Sequence, residues 1–375
     1  MLHALIPSPE QRLHQIDQAR HAVLGGGRSL AGALSASWIE RSWRRCLSSG
    51  QRPGQEVAFD VIAAHALRHT EEAHHSLLQA ARPVLEKLAR AIADTRYFAI
   101  LTNAKGVVVD VSGPIDRSDR RADLITRIGT DLSERSIGTS AIGAALSELQ
   151  PVWLHRGEHF FSATSIYSCA GAPLFGPDGR CVGMLDLTGI EAVERPELKH
   201  LAAQSACRIE NALLLGQPHS LTVRLNWPGH TLGFDADGMI CLDADGWVVG
   251  ANQIARQMVS QLVTPAPAAV HISDVFSMPY QLLFDAARRQ DATIEVPLWS
   301  GLRLNARPIA HAGAADPIDA GTGIRGGQNL PLKDMETALI RKAVDNARGN
   351  VTQAARMLGI SRATVYRKLS HRKRH

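Results

Sequence analysis

Gly349-Asn350-Val351-Thr352-Gln353-Ala354-Ala355-Arg356-Met357-Leu358-Gly359-Ile360-Ser361-Arg362-Ala363-Thr364-Val365-Tyr366-Arg367-Lys368-Leu369 reads as two short helices folded about a glycine. Asn350 and Gln353 form an N-terminal capping pair, and Ala354, Ala355 and Leu358 follow as an apolar stripe that stops at Gly359. Ile360 turns inward and Ser361 caps the next helix. Val365 and Leu369 keep that helix's inner face apolar, while Arg362, Thr364, Tyr366, Arg367 and Lys368 stay outside. Upstream, Met335, Leu339, Ala343 and Ala347 hold the three-to-four spacing of an amphipathic helix, with Ile340 and Val344 beside them. A two-helix corner with a glycine turn and a basic outer face is the helix-turn-helix design.

Charge is distributed to match. Residues 331–375 hold 11 Lys/Arg against 3 Asp/Glu, so the remaining residues hold 30 against 33, and the net +5 divides into +8 and −3. After Asp345 there is no acidic side chain, only eight Lys/Arg and two His. Such a run suits a phosphate-facing surface; a solvated basic tail is the alternative, and the helical patterning decides against it.

The 375 residues exceed what one growing core accommodates, which predicts several domains. No apolar run approaches the ~18 residues of a membrane span, and Met1–Glu10 lacks a secretion signal. The expectation is a cytoplasmic protein with no membrane partner. Cysteines stand at 46, 169, 181, 207 and 241, without Cys-x-x-Cys spacing, which predicts reduced thiols rather than disulfides or structural zinc.

Three segments share a strand–glycine turn–strand plan: Leu101–Val109 about Gly106, Phe175–Val182 about Gly179, and Leu242–Val249 about Gly246. Helical patterns flank them at about 76–94 and 195–216. Together they predict an α+β domain with helices packed on a sheet face.

The stretch from Leu330 to Leu369 resembles a Fis-type DNA-binding domain. That resemblance implies that Arg362, Thr364 and Arg367 meet bases and phosphates of double-stranded operator DNA, with Ser361, Tyr366 and Lys368 flanking. It also implies a homodimer, paired through the Met335/Leu339 stripe. Ile128–Gly143, Pro151–Trp153, Gly157–Phe161 and Cys169–Gly179 resemble the GAF domain of acetoin-catabolism-type activators. Arg41-Ser42-Trp43-Arg44-Arg45-Cys46-Leu47 is similar to the Ser-Trp-x-Arg-Cys signature that opens those proteins, and Gly238–Gln253 is similar to the start of a PAS-type domain running to about 310.

The order matches regulators of acetoin or dihydroxyacetone metabolism. It implies an α+β multidomain chain: an N-terminal helical region 1–75, a GAF-like sensor 76–216, a PAS-like domain 222–310, a linker 311–330 and an all-α helix-turn-helix 331–375. Relatives of this type carry an ATPase domain before the helix-turn-helix, whereas only the Gly/Ala/Asp-rich residues 311–330 intervene here. The sequence contains no Gly-x-x-x-x-Gly-Lys-Ser/Thr loop. The expected mode of action is therefore recruiting or blocking ordinary RNA polymerase, or bending promoter DNA, and not ATP-driven remodelling of the sigma-54 enzyme.

Within the GAF-like region, Arg135, Ser136, Glu158, His159, Phe160 and Cys169 either line a pocket for a small-molecule effector or form a structural hydrogen-bond network. His159 with Cys169 and Cys181 lack metal-ligand spacing, and His65/His69, four apart on a helix, have no nearby third ligand and read as an exposed face, so no metal or cofactor is expected. Trp43 and Cys46, three apart on a helix, read as core. Other classes of function are an architectural DNA-bending protein, marked by low sequence preference, and a reductase using Cys169 and Cys181. The basic tail speaks against the enzyme, and no catalytic residue is assigned.

Overall fold

The computed structural model describes residues 8–25, 37–61, 74–263, 270–289 and 292–311, together with the single positions 344 and 351. Ser361, Arg362, Thr364, Tyr366, Arg367, Lys368 and the pair His65/His69 lie outside the described residues. The chain divides into two units, Met1–Asp316 and Pro317–His375, and the architecture below belongs to the first. Among the described residues no helix is long and apolar enough to cross a membrane.

The first sheet is built from β1 (Tyr97–Asn103), β2 (Val108–Ser112), β3 (Val152–His155), β4 (Tyr167–Phe175) and β5 (Cys181–Ile190), all antiparallel in the order β2-β1-β5-β4-β3. Its turns are those expected from the glycines. Gly106 and Gly179 take φ of 81° and 82°, a region L side chains avoid. Asn103 fixes the first turn by accepting the N–H groups of Lys105 at 2.9 Å and Val107 at 3.1 Å.

Both faces of this sheet are covered. Tyr97, Ala99, Leu101, Ala170, Ala172, Leu174, Leu185 and Leu187 face two helices, His75–Ala91 and Leu198–Leu215. Phe98, Ile100, Tyr167, Cys169, Met184 and Ile190 face a second layer, which includes the short helices Arg120–Ile125, Glu134–Ile137 and Ala141–Glu148. Two-sided burial explains why Tyr97-Phe-Ala-Ile-Leu101 is an unbroken apolar run rather than an alternating one.

The N-terminal helices Pro9–Leu24 and Ser37–Ser48 do not form a region of their own. Trp38, Ile39, Trp43 and Cys46 sit in the same core cluster as Phe98, Ile100 and Cys169. The helix Ala141–Glu148 approaches its neighbour closely at Gly143, where an added Cβ would lie 2.7 Å from Glu134 Cβ and 2.9 Å from its backbone nitrogen. Gly143→Ala is expected to cost about 1–3 kcal/mol through overpacking. Urea unfolding checks this, and a loss under 0.5 kcal/mol would count against the close approach.

The second sheet comprises β6 (Leu221–Asn226), β7 (Gly238–Leu242), β8 (Val248–Ala251), β9 (Ile294–Pro297) and β10 (Arg303–Ala310), in the order β8-β7-β6-β10-β9. Like the first it is a central strand flanked by two hairpin pairs. In the first sheet the central strand is the last in the chain; in the second it is the earliest. The motif at Gly238–Gln253 spans β7, β8 and the cap of the helix Gln253–Met258, and the sheet's first strand, β6, precedes it from Leu221.

Candidate functional site

The helix Ser37–Ser48 supplies the scaffold. Arg45 holds both carboxylate oxygens of Glu134, Nε to Oε1 at 2.7 Å and Nη2 to Oε2 at 2.9 Å, and reaches Glu148 at 3.2 Å. This bidentate fork ties the helix to the start of Glu134–Ile137 and the end of Ala141–Glu148. Ser42 donates to Glu134 at 2.6 Å and meets the Thr139 hydroxyl at 2.7 Å. Trp43 is fully buried and donates its indole N–H to the Glu158 carbonyl at 2.8 Å. Each polar or aromatic residue of the Ser42-Trp43-x-Arg45-Cys46 signature thus positions another segment.

The segment Arg156–Phe161 is also clamped from the helix Pro9–Leu24. Arg12 pairs with Glu158 Oε1 at 2.5 Å, and Arg20 donates to the carbonyls of Gly157 at 3.0 Å, Phe160 at 2.6 Å and His159. With its carbonyls held, the segment presents the His159 ring inward. Its Nδ1 lies 2.9 Å from the Arg156 carbonyl, so it carries the proton and donates. Burial lowers the imidazole to a pKa of about 4, keeping it neutral. Nε2 is then a lone-pair acceptor, and no group among the described residues meets it.

His159 lines a cavity of about 30 Å³ on the sheet face opposite the two long helices, with Ile100, Ile137, Ala141, Tyr167, Cys169, Asp186 and Thr188 around it and Phe59 at one side. That volume holds about one water molecule. Asp186, on β5 between Ile100 of β1 and Gly171 of β4, is 1% exposed. Its Oδ2 accepts from Thr188 and its Oδ1 has no partner among the described residues. Burial pushes this carboxyl up to a pKa of about 7, against the Thr188 hydrogen bond that lowers it. Near neutrality it is an acid that can donate or accept.

The expected pocket residues separate. His159 and Cys169 line the cavity. Glu158 instead turns to Arg12 and closes its own turn by accepting the His155 N–H at 2.7 Å. Phe160 is buried edge-on against Phe161. Ser136 donates to Asp131 at 2.6 Å, and Arg135 lines a separate surface groove with Arg45, Gln51 and Glu134. Asp186 and Thr188 were not anticipated, although a lone acid inside the apolar run Met184-Leu-Asp-Leu187 is a readable signal. All five cysteines are free. Burial raises the Cys169 thiol well up and the Cys181 thiol up, opposite to the depressed pKa that a redox nucleophile needs.

A small, mostly apolar cavity with two buried polar atoms that have no partner among the described residues thus lies against a sheet covered by helices on both faces. The chain belongs to the family described as MimR, N-terminal domain, which its residues 14–211 match. Residues 331–371 match the Fis family of bacterial regulatory proteins. The acetoin catabolism regulatory protein of Cupriavidus necator is 31% identical over 257 residues, 66% of this chain and 37% of that protein. The Bacillus subtilis acetoin dehydrogenase operon transcriptional activator AcoR is 31% identical over 47% of this chain and 29% of its own length. The chain thus spans about a third of the length of the curated relatives it matches. Among solved structures, the Escherichia coli DhaR(N)–DhaL complex contains a chain with 15% identity and a TM-score of 0.46, covering 72% of this chain and 98% of that one.

Proposed function

We propose that this protein is a cytoplasmic, ligand-responsive, sequence-specific DNA-binding transcription regulator, dimeric on its operator, whose effector enters beside His159 and Asp186 by widening a cavity that as it stands holds about one water molecule. The observation that carries the reading is the pair of bare buried atoms, His159 Nε2 and Asp186 Oδ1, lining one apolar cavity. A buried polar atom left without a partner costs about 1–3 kcal/mol, so a molecule that satisfies both gains affinity from the pairing. An acceptor next to a neutral or ionised carboxyl suits a small uncharged molecule with hydroxyl and carbonyl oxygens. Cys169 and Thr188 complete the polar edge.

Output runs through the Fis-family segment. Arg362, Thr364 and Arg367 contact bases and phosphates, Ser361, Tyr366 and Lys368 flank them, and the basic residues after Asp345 add backbone attraction. With no phosphate-binding loop in the sequence, the regulator acts on ordinary RNA polymerase without ATP hydrolysis.

The test begins with DNA selected from random sequence by the purified full chain. Arg362→Ala and Arg367→Ala are each expected to weaken binding by about 1–3 kcal/mol, with relaxed base preference. A panel of small polyols, hydroxyketones and diketones is then titrated against the complex, in wild type and in Asp186→Asn and His159→Phe. A response in wild type that both cavity variants weaken at least about tenfold supports the site. Unaltered responses in both overturn it, and unaltered DNA affinity in both arginine variants overturns the interface.

A further inference from the structure

The turn Gly176-Pro177-Asp178-Gly179-Arg180, which closes the β4–β5 hairpin, plays no part in the cavity. It meets the second sheet. The Pro177 carbonyl accepts from Arg256 Nη2 at 2.6 Å and from the Ala251 N–H at 3.0 Å. Arg256, on the helix Gln253–Met258, is half-buried, and its other contacts are also carbonyls: Ala251 at 3.3 Å and Leu262. Burial lowers its pKa, with Asp178 pulling the other way. Three carbonyls, two from its own domain and one from the sensor domain, therefore hold this guanidinium. The turn is shaped to admit it: at Gly179 an added Cβ would lie 2.8 Å from the guanidinium carbon.

The neighbouring contacts cross the same junction. Glu210, on the helix Leu198–Leu215, accepts the Phe175 N–H of β4 at 3.0 Å and bonds the Gln253 backbone of the second domain. Asn252 donates to Asn211 at 2.9 Å. Leu214 packs with Met239 and Cys241 of the second sheet. The same two strands that end in this turn carry Cys169, Asp186 and Thr188, roughly 25 Å away along an extended backbone.

Resting on the cavity reading above, we infer that the Pro177–Arg256 contact is the link through which the second sheet domain reads the state of the cavity, with Arg256 a positioning residue and Pro177–Gly179 the transmitting turn. A change in the Asp186 and Thr188 hydrogen bonds displaces β5 against β4. The turn is their joint end. Because its carbonyl is grasped by a fork anchored in the second domain, displacement is passed to β8 and the helix Gln253–Met258 rather than absorbed by solvent. Coupling of this kind is carried by contiguous bonded elements, and because the Glu210–Gln253 and Asn211–Asn252 bonds run in parallel, breaking the Arg256 contact weakens the coupling without removing either end.

The experiment needs no effector. Hydrogen exchange over residues 248–258 is followed by mass spectrometry in the full chain, with Asp186→Asn as the perturbation of the cavity. The perturbation is expected to change exchange at 248–258 by about threefold or more in the wild-type background. That response should fall by at least half in Arg256→Ala, where the Ala251 N–H still reaches the Pro177 carbonyl, and by less in Arg256→Lys, which keeps a donor. Gly179→Ala displaces the guanidinium from the sensor side and leaves its own-domain carbonyls available, so it must weaken the response likewise, even if Arg256→Ala fails to fold. If Asp186→Asn leaves 248–258 untouched, or more than half of the response persists in both Arg256→Ala and Gly179→Ala, the inference is overturned. An intact response at 248–258 with no effector found in the titrations would instead overturn the cavity's sensory role and leave the link standing.

Discussion

Replacing Trp43 with alanine is expected to destabilise the first domain by about 3–5 kcal/mol, the largest loss from any single truncation in the site's scaffold. The indole is fully buried, with Ile39 and Cys46 in the same cluster, and its N–H satisfies the carbonyl of Glu158. Alanine opens a cavity and leaves that buried carbonyl without its donor. Trp43→Phe fills most of the volume yet still lacks the donor, so it should lose roughly 1–2 kcal/mol. Because the indole holds the turn that aims His159, effector affinity should fall in the phenylalanine variant too. Urea denaturation followed by circular dichroism gives the first two values; a loss below 1 kcal/mol for alanine would remove Trp43 from its place as the keystone.

The second large effect is a gain. Asp186 has its pKa raised from the ordinary carboxylate range to about 7 by burial. The folded state therefore holds its proton more tightly than the unfolded chain does. Stability from this group is full below the unfolded pKa near 4 and is lost as pH rises through about 7. Asparagine mimics the protonated acid and does not ionise. Asp186→Asn should match wild type near pH 4 and exceed it at pH 8 by something of the order of 2–4 kcal/mol. His159 acts oppositely: its pKa is lowered to about 4, so its contribution is present above the unfolded value near 6.5 and lost as pH falls. Between pH 4 and 6.5 the two slopes oppose each other; Glu158 and Glu210, also pushed up to about 7 by burial, add to the downward slope, so the difference between wild type and Asp186→Asn is what isolates Asp186. Equal urea midpoints for wild type and Asp186→Asn at pH 8 would mean that the carboxyl has found a partner.

Much of the first domain was readable because its signals are local. Gly106 and Gly179 marked two hairpins of its sheet, and Gly246 marked the β7–β8 hairpin of the second sheet; all three occur with positive φ at those glycines. The helical patterns near 76–94 and 195–216 correspond to His75–Ala91 and Leu198–Leu215. Long-range facts were not readable. Nothing in Arg41–Leu47 says that Ser42 and Arg45 grip Glu134, roughly ninety positions away. Resemblance to a GAF-type sensor marked Glu158, His159 and Phe160 together, but the backbone from Arg156 to Phe161 turns these side chains in three directions, towards Arg12, the cavity and Phe161. Asp186 and Thr188 sat in a strand that looked purely structural, because which face of β5 meets a void depends on Gly171 and Ala141 across the layer.

The early placement of β6 carries an implication for how this chain can be cut and joined. With its first strand at the centre and its last strand beside it, the second domain brings its entrance and exit together: Leu221 pairs with Ala310, the His311 N–H reaches the Ser220 carbonyl at 3.1 Å, and the rings of His219 and His311 lie 4.6 Å apart. Topologically it is a loop-out, inserted at one point of a chain that would otherwise run directly from the helix Leu198–Leu215 into the segment after His311. Excising residues 221–310 and splicing Ser220 to His311 spans a gap that is already bridged by a hydrogen bond. Gain or loss of the whole second domain is thus open to a single cassette exchange between Ser220 and His311.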